Sequence, residues 1–501
     1  MRDGQKFSSL KKKELIYVSL LFLVAVVIRS IPELLAFPFP IGYDVINYYI
    51  PVITNFTYHW NIISGQFPLY VIILHLFQVS TNLNSQSLVQ VAAIFLYAFF
   101  SISIYFIGRK ILKLDSIYCL FLSVFVVMQV CSLRTSWDLH KDMLSLTSML
   151  FAVSLLASNH DNIKKIMLII LLCIVSVLAD RMIGLLMTIS IVIYATIKRS
   201  PYIALIASIT AVVAITSWVQ SFNEIELNTH LFINTPAIVN NVYAPVNLVI
   251  LFILLNFLLI PTGIIGFLNT NEKFLTISLI FSLIGSFSWI LFPNSSSLLP
   301  DRWTFIFSII LAIFSGYGFI LVINRYALSK IALIFVLVPF FIIGMLYSLT
   351  PNTSIYIILE PFRELAKQYG TITIKHNPVA IPESVSIIDA IGQFGPASMQ
   401  FNSISIPESV SIIDAIDWIN HNTPTGSLLL IDKNWRGWAE LRLHNRNFAF
   451  YENIPSSNSE KEIFILAFKE KAFQNNLKWR IASLYDNNNF SVYKLNTGPR
   501  V

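Results

Sequence analysis

LVQVAAIFLYAFFSISIYFI fills residues 88–107 without one charged side chain, and Gly108-Arg109-Lys110 follow at once. Twenty apolar residues are what an α-helix needs to cross the ~30 Å hydrocarbon core of a bilayer. The basic pair at the end marks a loop kept on the cytoplasmic side. Ten more apolar runs flank this one: Leu15 to Leu35, Ile117 to Leu133, Met143 to Ala157, Ile166 to Ala179, Met182 to Ile197, Tyr202 to Trp218, Val246 to Leu268, Phe274 to Phe292, Phe305 to Ile323 and Ile331 to Leu349. Composition agrees, since 55% of the 501 residues are hydrophobic and 12% charged, against roughly 25% charged in soluble proteins. The chain therefore reads as a mainly α, polytopic membrane protein of about eleven transmembrane helices. With 14% aromatics and only 17 Gly, a disordered or fibrous chain is excluded.

Orientation follows from the basic residues. With a cytoplasmic N-terminus, alternate loops hold Arg2, Lys6, Lys11, Lys12, Lys13, Arg109, Lys110, Lys113, Lys164, Lys165, Lys198, Arg199, Lys273, Arg325 and Lys330, fifteen in all. Five remain for the other side: Arg29, Arg134, Lys141, Arg181 and Arg302. That bias places the N-terminus inside and the region after residue 350 outside. Phe67 to Ser80 is too short to span, so it reads as a helix lying at the outer surface. The first run, from Leu15, lacks a small-residue cleavage site and reads as a retained span. Cys119, Cys131 and Cys173 all lie in apolar runs, so no disulfide framework is expected. The net charge of +7 arises entirely before residue 351, which makes it a topology signal and argues against nucleic acid as a partner.

Two domains are expected: a transmembrane part, residues 1–350, and an extracytoplasmic α/β domain, residues 351–501. In the latter the period changes. Ser409 to His421 has the spacing of an amphipathic helix, Ser427 to Asp432 and Glu462 to Phe468 that of strands, and Trp479 to Leu484 with Phe490 to Leu495 that of a hairpin. An eleven-residue stretch, IPESVSIIDAI, occurs at 381–391 and again at 406–416. Two copies are too few for a solenoid. The second runs on into Asp417-Trp418-Ile419 and is expected to form the structural helix, the first being a local duplication set in a surface loop.

Ionisable residues gather at the outer ends of the spans: Asp44 in the first loop; Arg134, Asp138, His140, Lys141 and Asp142 in the second; then Asp180-Arg181 and Asp301-Arg302. Singly, each Arg reads as an interfacial anchor paired with a nearby acid. Together they suit a lipid phosphate, because guanidinium matches phosphate oxygens in a fork. Arg302, Arg134, His140, Lys141 and Asp138 are accordingly the candidate donor and phosphate ligands. Asp44 has two readings, a cap for the following helix or a carboxylate that takes a proton from an acceptor hydroxyl. Tyr43 and Tyr48 beside it offer an acceptor surface. Asp138 and Asp142, four apart, could hold a divalent cation together with Asp44; plain ion pairing with Lys141 is the alternative.

These motifs resemble a family. A first loop with Gly42-Tyr43-Asp44 and Tyr48-Tyr49, then Phe67-Pro68-Leu69-Tyr70, a span ending in Gly108-Arg109-Lys110, Trp137-Asp138-Leu139-His140-Lys141-Asp142 opening the fourth span, and Asp301-Arg302-Trp303 entering a later span are similar to the GT-C superfamily of membrane glycosyltransferases. These use dolichyl- or polyprenyl-phosphate sugars, and the likeness is greatest to the protein mannosyltransferase-like branch. It implies that Asp44 is essential as base or acceptor orienter and that Arg302 meets the lipid phosphate. Asp414 to Pro424 followed by a strand is more distantly similar to oligosaccharyltransferase catalytic subunits, whose Trp-Trp-Asp-Tyr-Gly motif reads the acceptor. Here Lys433-Asn434-Trp435-Arg436-Gly437-Trp438 keeps the aromatics and loses the Asp. Trp435 then remains an acceptor-side candidate, and an Asn-directed ligase becomes the lesser reading.

The expected function is transfer of a sugar from a polyprenyl-phosphate donor to an acceptor hydroxyl at the outer membrane face. Expected partners are membrane lipid, the polyprenyl-phosphate sugar as donor substrate, and an acceptor protein, lipid or glycan; the one cofactor the residues suggest is a divalent metal. A transporter should instead show internal repeats or charges in mid-span, and a non-catalytic assembly subunit would tolerate loss of Asp44.

Overall fold

The structure, a computed structural model, describes residues 2–42, 44–56, 69–157, 162–232, 245–291, 299–326, 331–349, 373–374, 385–386, 406–431, 435–443, 447–450, 462–468 and 482–495. Among the described residues, each of the eleven apolar runs is helical apart from short breaks. The helices are α1 (Arg2–Ala36), α4 (Ser85–Phe106, continued by a π-helical turn, Ile107–Ile111), α5 (Ser116–Val127), α6 (Val130–Asp138), α7 (His140–Leu156), α8 (Ile163–Ala179), α9 (Arg181–Lys198), α10 (Pro201–Phe232), α11 (Pro245–Asn256), α12 (Ile260–Leu268), α13 (Lys273–Ser286), α14 (Ser288–Leu291), α15 (Pro300–Arg325) and α16 (Ile331–Ser348). Between α1 and α4 lie a π-helical turn (Val45–Tyr49), α2 (Ile50–Thr54) and α3 (Leu69–Thr81).

Among the described residues six helices are long and apolar enough to cross a membrane, or seven with α5 and α6 taken as one span bent by 63°. The count of eleven single-helix spans is revised to that extent. α7 and α8 have 17 residues each, and two runs are broken: Val246 to Leu268 into α11 and α12, where Pro261 stands at the start of α12 without an N–H to continue the ladder, and Phe274 to Phe292 into α13 and α14. The stretch expected as a surface helix forms the 13-residue α3, which is too short to span.

The basic loops meet at one end of the bundle. There Arg109 pairs with Glu14 at 2.9 Å, the Tyr118 hydroxyl donates to Asn324 at 2.7 Å, and Lys198 lies over the Tyr194 ring, which packs edge-on against Phe274. Close helix contacts rest on small residues, as in other membrane bundles. A Cβ on Gly266 would lie 2.0 Å from the Phe314 carbonyl, and one on Gly318 would lie 1.9 Å from that of Thr262, so α12 and α15 touch backbone to backbone.

In the C-terminal region the boundary expected at residue 350 lies outside the described residues. α17 (Ile406–Asn422) covers one face of a five-stranded sheet of order β4-β3-β5-β7-β6, formed by β3 (Leu428–Ile431), β4 (Asn447–Phe450), β5 (Ile463–Phe468), β6 (Ala482–Asp486) and β7 (Phe490–Leu495). β3 runs parallel to β4 and β5; β7 is antiparallel to β5 and β6. Helix α18 (Arg436–Arg442) and β4 were not anticipated, and β6 begins three residues later than expected. The second repeat copy opens α17 and buries Ile412, Ala415 and Ile416 against the sheet. The first copy lies outside the described residues except for Val385–Ser386 (β2), which pairs with Thr373–Ile374 (β1).

Candidate active site

At the bundle end opposite the basic loops, the first loop is pressed against the break between α6 and α7. The break is real: Leu139 leaves the helical region with φ −99° and ψ 55°. Gly42, at φ +99°, lies where a Cβ would come 2.3 Å from the Trp137 carbonyl, so glycine serves both the conformation and the approach. Two residues on, the Asp44 N–H donates to Asp138 Oδ1 at 2.5 Å, and Asp138 Oδ2 accepts from Arg134 Nη2 at 2.8 Å. Asp44 makes no side-chain cap to the turn it precedes, which leaves its carboxylate available.

That carboxylate meets Arg302 from the first turn of α15, Nη2 to Oδ2 3.6 Å, and the guanidinium also faces Asp142 Oδ1 at 3.9 Å. Both separations exceed hydrogen-bond length, so the Arg302 N–H groups keep capacity for another acceptor. Arg302 and Asp44 each retain 22% side-chain exposure, whereas Asp142 retains 3%. Asp142 meets Asp180, which caps α9 by accepting from Met182 and Ile183 N–H groups. Burial pushes the Asp44 carboxyl up to about 6; the Asp138 carboxylate adds to the rise, and Arg302, Lys141 and Arg134 oppose it. The Tyr48 phenol is raised by burial and by Asp44.

Asp44, Asp138, Lys141, Asp142, Arg134 and Arg302 thus come together, though not in equal roles. Arg134 is 4% exposed and ion-paired with Asp138, so it braces the helix end and does not present itself to a ligand. His140, expected as a phosphate ligand, is buried, stacks on Tyr49 with ring centroids 5.2 Å apart, and shares a 3.1 Å hydrogen bond with the Tyr70 hydroxyl. Trp435, expected on the acceptor side, is 2% exposed and packed edge-on against Phe490 inside the C-terminal core. Tyr43 lies outside the described residues, and Tyr48 is half-buried against Tyr49. Asp138 and Asp142 are engaged by Arg134 and Arg302, and among the described residues no group of three or more His, Cys, Asp or Glu side chains is placed to hold a metal ion.

One feature has no sequence signal, because its partners are 390 residues apart. α18 of the C-terminal domain docks on the turn that follows Asp44: Gly437 N–H donates to Asn47 Oδ1 at 3.1 Å, and a Cβ on Gly437 would lie 2.3 Å from the Ile46 carbonyl. Trp438 packs edge-on against Phe39, and Phe39 and Ile46 belong to the C-terminal domain's own core.

No protein-family model and no curated protein matches this chain. Among solved structures it is similar to the crystal structure of ArnT from Cupriavidus metallidurans bound to undecaprenyl phosphate, with a TM-score of 0.55 at 12% sequence identity over 97% of this chain and 99% of that one. At that identity the likeness is one of fold. It extends over helical region and C-terminal domain alike, so the chain shares the overall fold of that protein.

Proposed function

We propose that this protein is a membrane glycosyltransferase that takes a sugar from a polyprenyl-phosphate donor and passes it to an acceptor hydroxyl, with Asp44 as general base and Arg302 as partner of the donor phosphate. The observation that carries this reading is the pair itself. A carboxylate raised to about 6 stands 3.6 Å from a guanidinium with open N–H groups, both partly exposed amid buried neighbours. Likeness of fold to a structure holding a polyprenyl phosphate supports the donor class.

The chemistry fits those two groups. The bond between the anomeric carbon and the phosphate oxygen breaks with its electron pair on the phosphate, while the acceptor oxygen bonds to the carbon and its proton passes to Asp44. Positive charge builds on the sugar and negative charge on the leaving phosphate, which Arg302, with half-buried Lys141 nearby, is suited to stabilise. A base near 6 is ionised at neutral pH yet basic enough to take the proton. The bias of basic loops toward the opposite end of the bundle supports an extracytoplasmic site.

The test is incubation of the purified protein with a panel of polyprenyl-phosphate sugars, scoring transfer or donor hydrolysis. Asp44→Asn should lower turnover by about 10² to 10⁴-fold, the usual contribution of a general base, with folding and donor binding retained. Turnover within about threefold of wild type would remove Asp44 from that role.

A further inference from the structure

Helix α1 is uncharged from Leu15 to Ile28, then carries Arg29 and Glu33 one turn apart. Arg29 is fully buried and Glu33 is 8% exposed. Arg29 Nη2 pairs with Glu33 Oε1 at 2.8 Å, and Gln90 Nε2 of α4 donates to the other Glu33 oxygen at 3.1 Å. Ionisable groups in a span are expensive, and an ion pair alone gains little over two apolar side chains. A third contact separates this pair from a packing device. Arg29 Nε and Nη2 both donate to the carbonyl oxygen of Ser136, at 3.3 and 3.2 Å.

Ser136 lies in the last turn of α6, where carbonyls lose their intrahelical partners because the helix stops at Asp138. The next carbonyl, of Trp137, receives Gly42, and the next side chain, Asp138, holds the Asp44 N–H. A short covalent path of two residues therefore joins the guanidinium to the group that fixes Asp44.

We propose that Arg29 and Glu33 are positioning residues: from within the first membrane span they cap the carbonyl end of α6 and so set Asp138 beneath the backbone of Asp44. Glu33, held by Gln90, orients the guanidinium; Arg29 holds Ser136; Asp138 then stands at fixed height against the first loop. Neither residue touches the reacting atoms. The catalytic half of this inference rests on Asp44 being the base; the structural half does not.

The test uses the full-length protein. Arg29→Leu alone strands Glu33 in the membrane and is expected to fold poorly, so the informative variants are Arg29→Leu/Glu33→Leu, which removes both charges, and Arg29→Lys, which keeps the charge but not the fork. Melting temperature, hydrogen–deuterium exchange of the segment from Gly42 to Asn47, and steady-state transfer kinetics are read on each. The double variant should still fold, since both charges leave together, exchange the Asp44 amide about tenfold faster, and lose kcat by up to ~10²-fold with KM nearly unchanged. Arg29→Lys should fall between, and it carries the test if the double variant does not fold. Wild-type exchange and wild-type kcat in the folded variants would overturn the proposal. Should wild type transfer sugar from no donor in the panel, the glycosyltransferase reading fails by itself, and amide exchange still decides whether Arg29 fixes the Asp44 loop.

Discussion

Asp44 owes its properties to position: the same carboxylate in a wet loop would titrate near the ordinary value of about 4. Burial, then Asp138, hold it at about 6, and this makes activity and stability respond to pH in opposite directions. As pH falls through about 6 the base is protonated, so kcat/KM should drop about tenfold per unit on the acid side. Because the folded-state value lies above the unfolded one, Asp44 favours the folded state below the unfolded value and loses that contribution as pH rises through about 6. A kcat/KM profile flat between pH 5 and pH 7 would contradict the assignment. The two arginines separate at this scale as well. Arg302→Ala should weaken binding of a polyprenyl phosphate by about 10 to 100-fold, the worth of charge-assisted hydrogen bonds, with a smaller loss of stability than Arg134→Ala because Arg302 meets buried Asp142 only at 3.9 Å. Arg134→Ala should instead destabilise the fold by about 3–5 kcal/mol, since it leaves Asp138 buried and unpaired. Equal losses of binding in both variants, with equal melting, would erase the distinction. The sequence placed all these residues near one membrane face. It could not say which guanidinium was already spent, because that depends on a four-residue reach within a helix whose end no local signal marks.

Helix α18 decides how the Asp44 turn is backed. A methyl group on Gly437 would meet the Ile46 carbonyl at 2.3 Å, backbone and not a yielding side chain. Gly437→Ala should therefore push α18 away from the Val45–Tyr49 turn and lower transfer by up to ~10²-fold, as sub-ångström to ångström misplacement does, while lipid-phosphate binding through Arg302 survives. Measuring both in one variant checks it: parallel loss of binding and turnover would mean the donor site itself had collapsed. Elements such as α4 and α15 were legible because their apolar runs are long and uninterrupted. The α6–α7 break was not, since Trp137 to Asp142 carries neither Gly nor Pro and is opened by tertiary partners: Arg29 on Ser136, Gly42 on Trp137, and Asp44 on Asp138. The repeated segment makes the same point. Ile406–Ile416 lies in α17, while Val385–Ser386, the same two residue types as Val410–Ser411, pair as a strand.

Across the whole molecule the basic loops and the acidic site occupy opposite ends of one bundle, which turns orientation into a simple measurement. Single cysteines at exposed Lys164 and exposed Leu484, in a background where the three native cysteines are buried, should label on opposite sides, Leu484→Cys from outside intact cells and Lys164→Cys only after permeabilisation. The reverse pattern would put the Asp44 site in the cytoplasm and remove the extracytoplasmic acceptor. The sequence by itself determined that the chain lives in a membrane, how its apolar runs are spaced, which loops are basic, and that a helix and strands follow them, because hydrophobic length and charge are properties of contiguous residues. Tertiary structure alone decided that Asp44 hangs from Asp138, that His140 and Trp435 turn inward, that Arg29 reaches the end of α6, and that α18 closes on the Asp44 turn. Those are contacts between residues 55 to 390 positions apart, fixed by where helices stop and how closely glycine lets two backbones approach, and neither is encoded in any single stretch of chain.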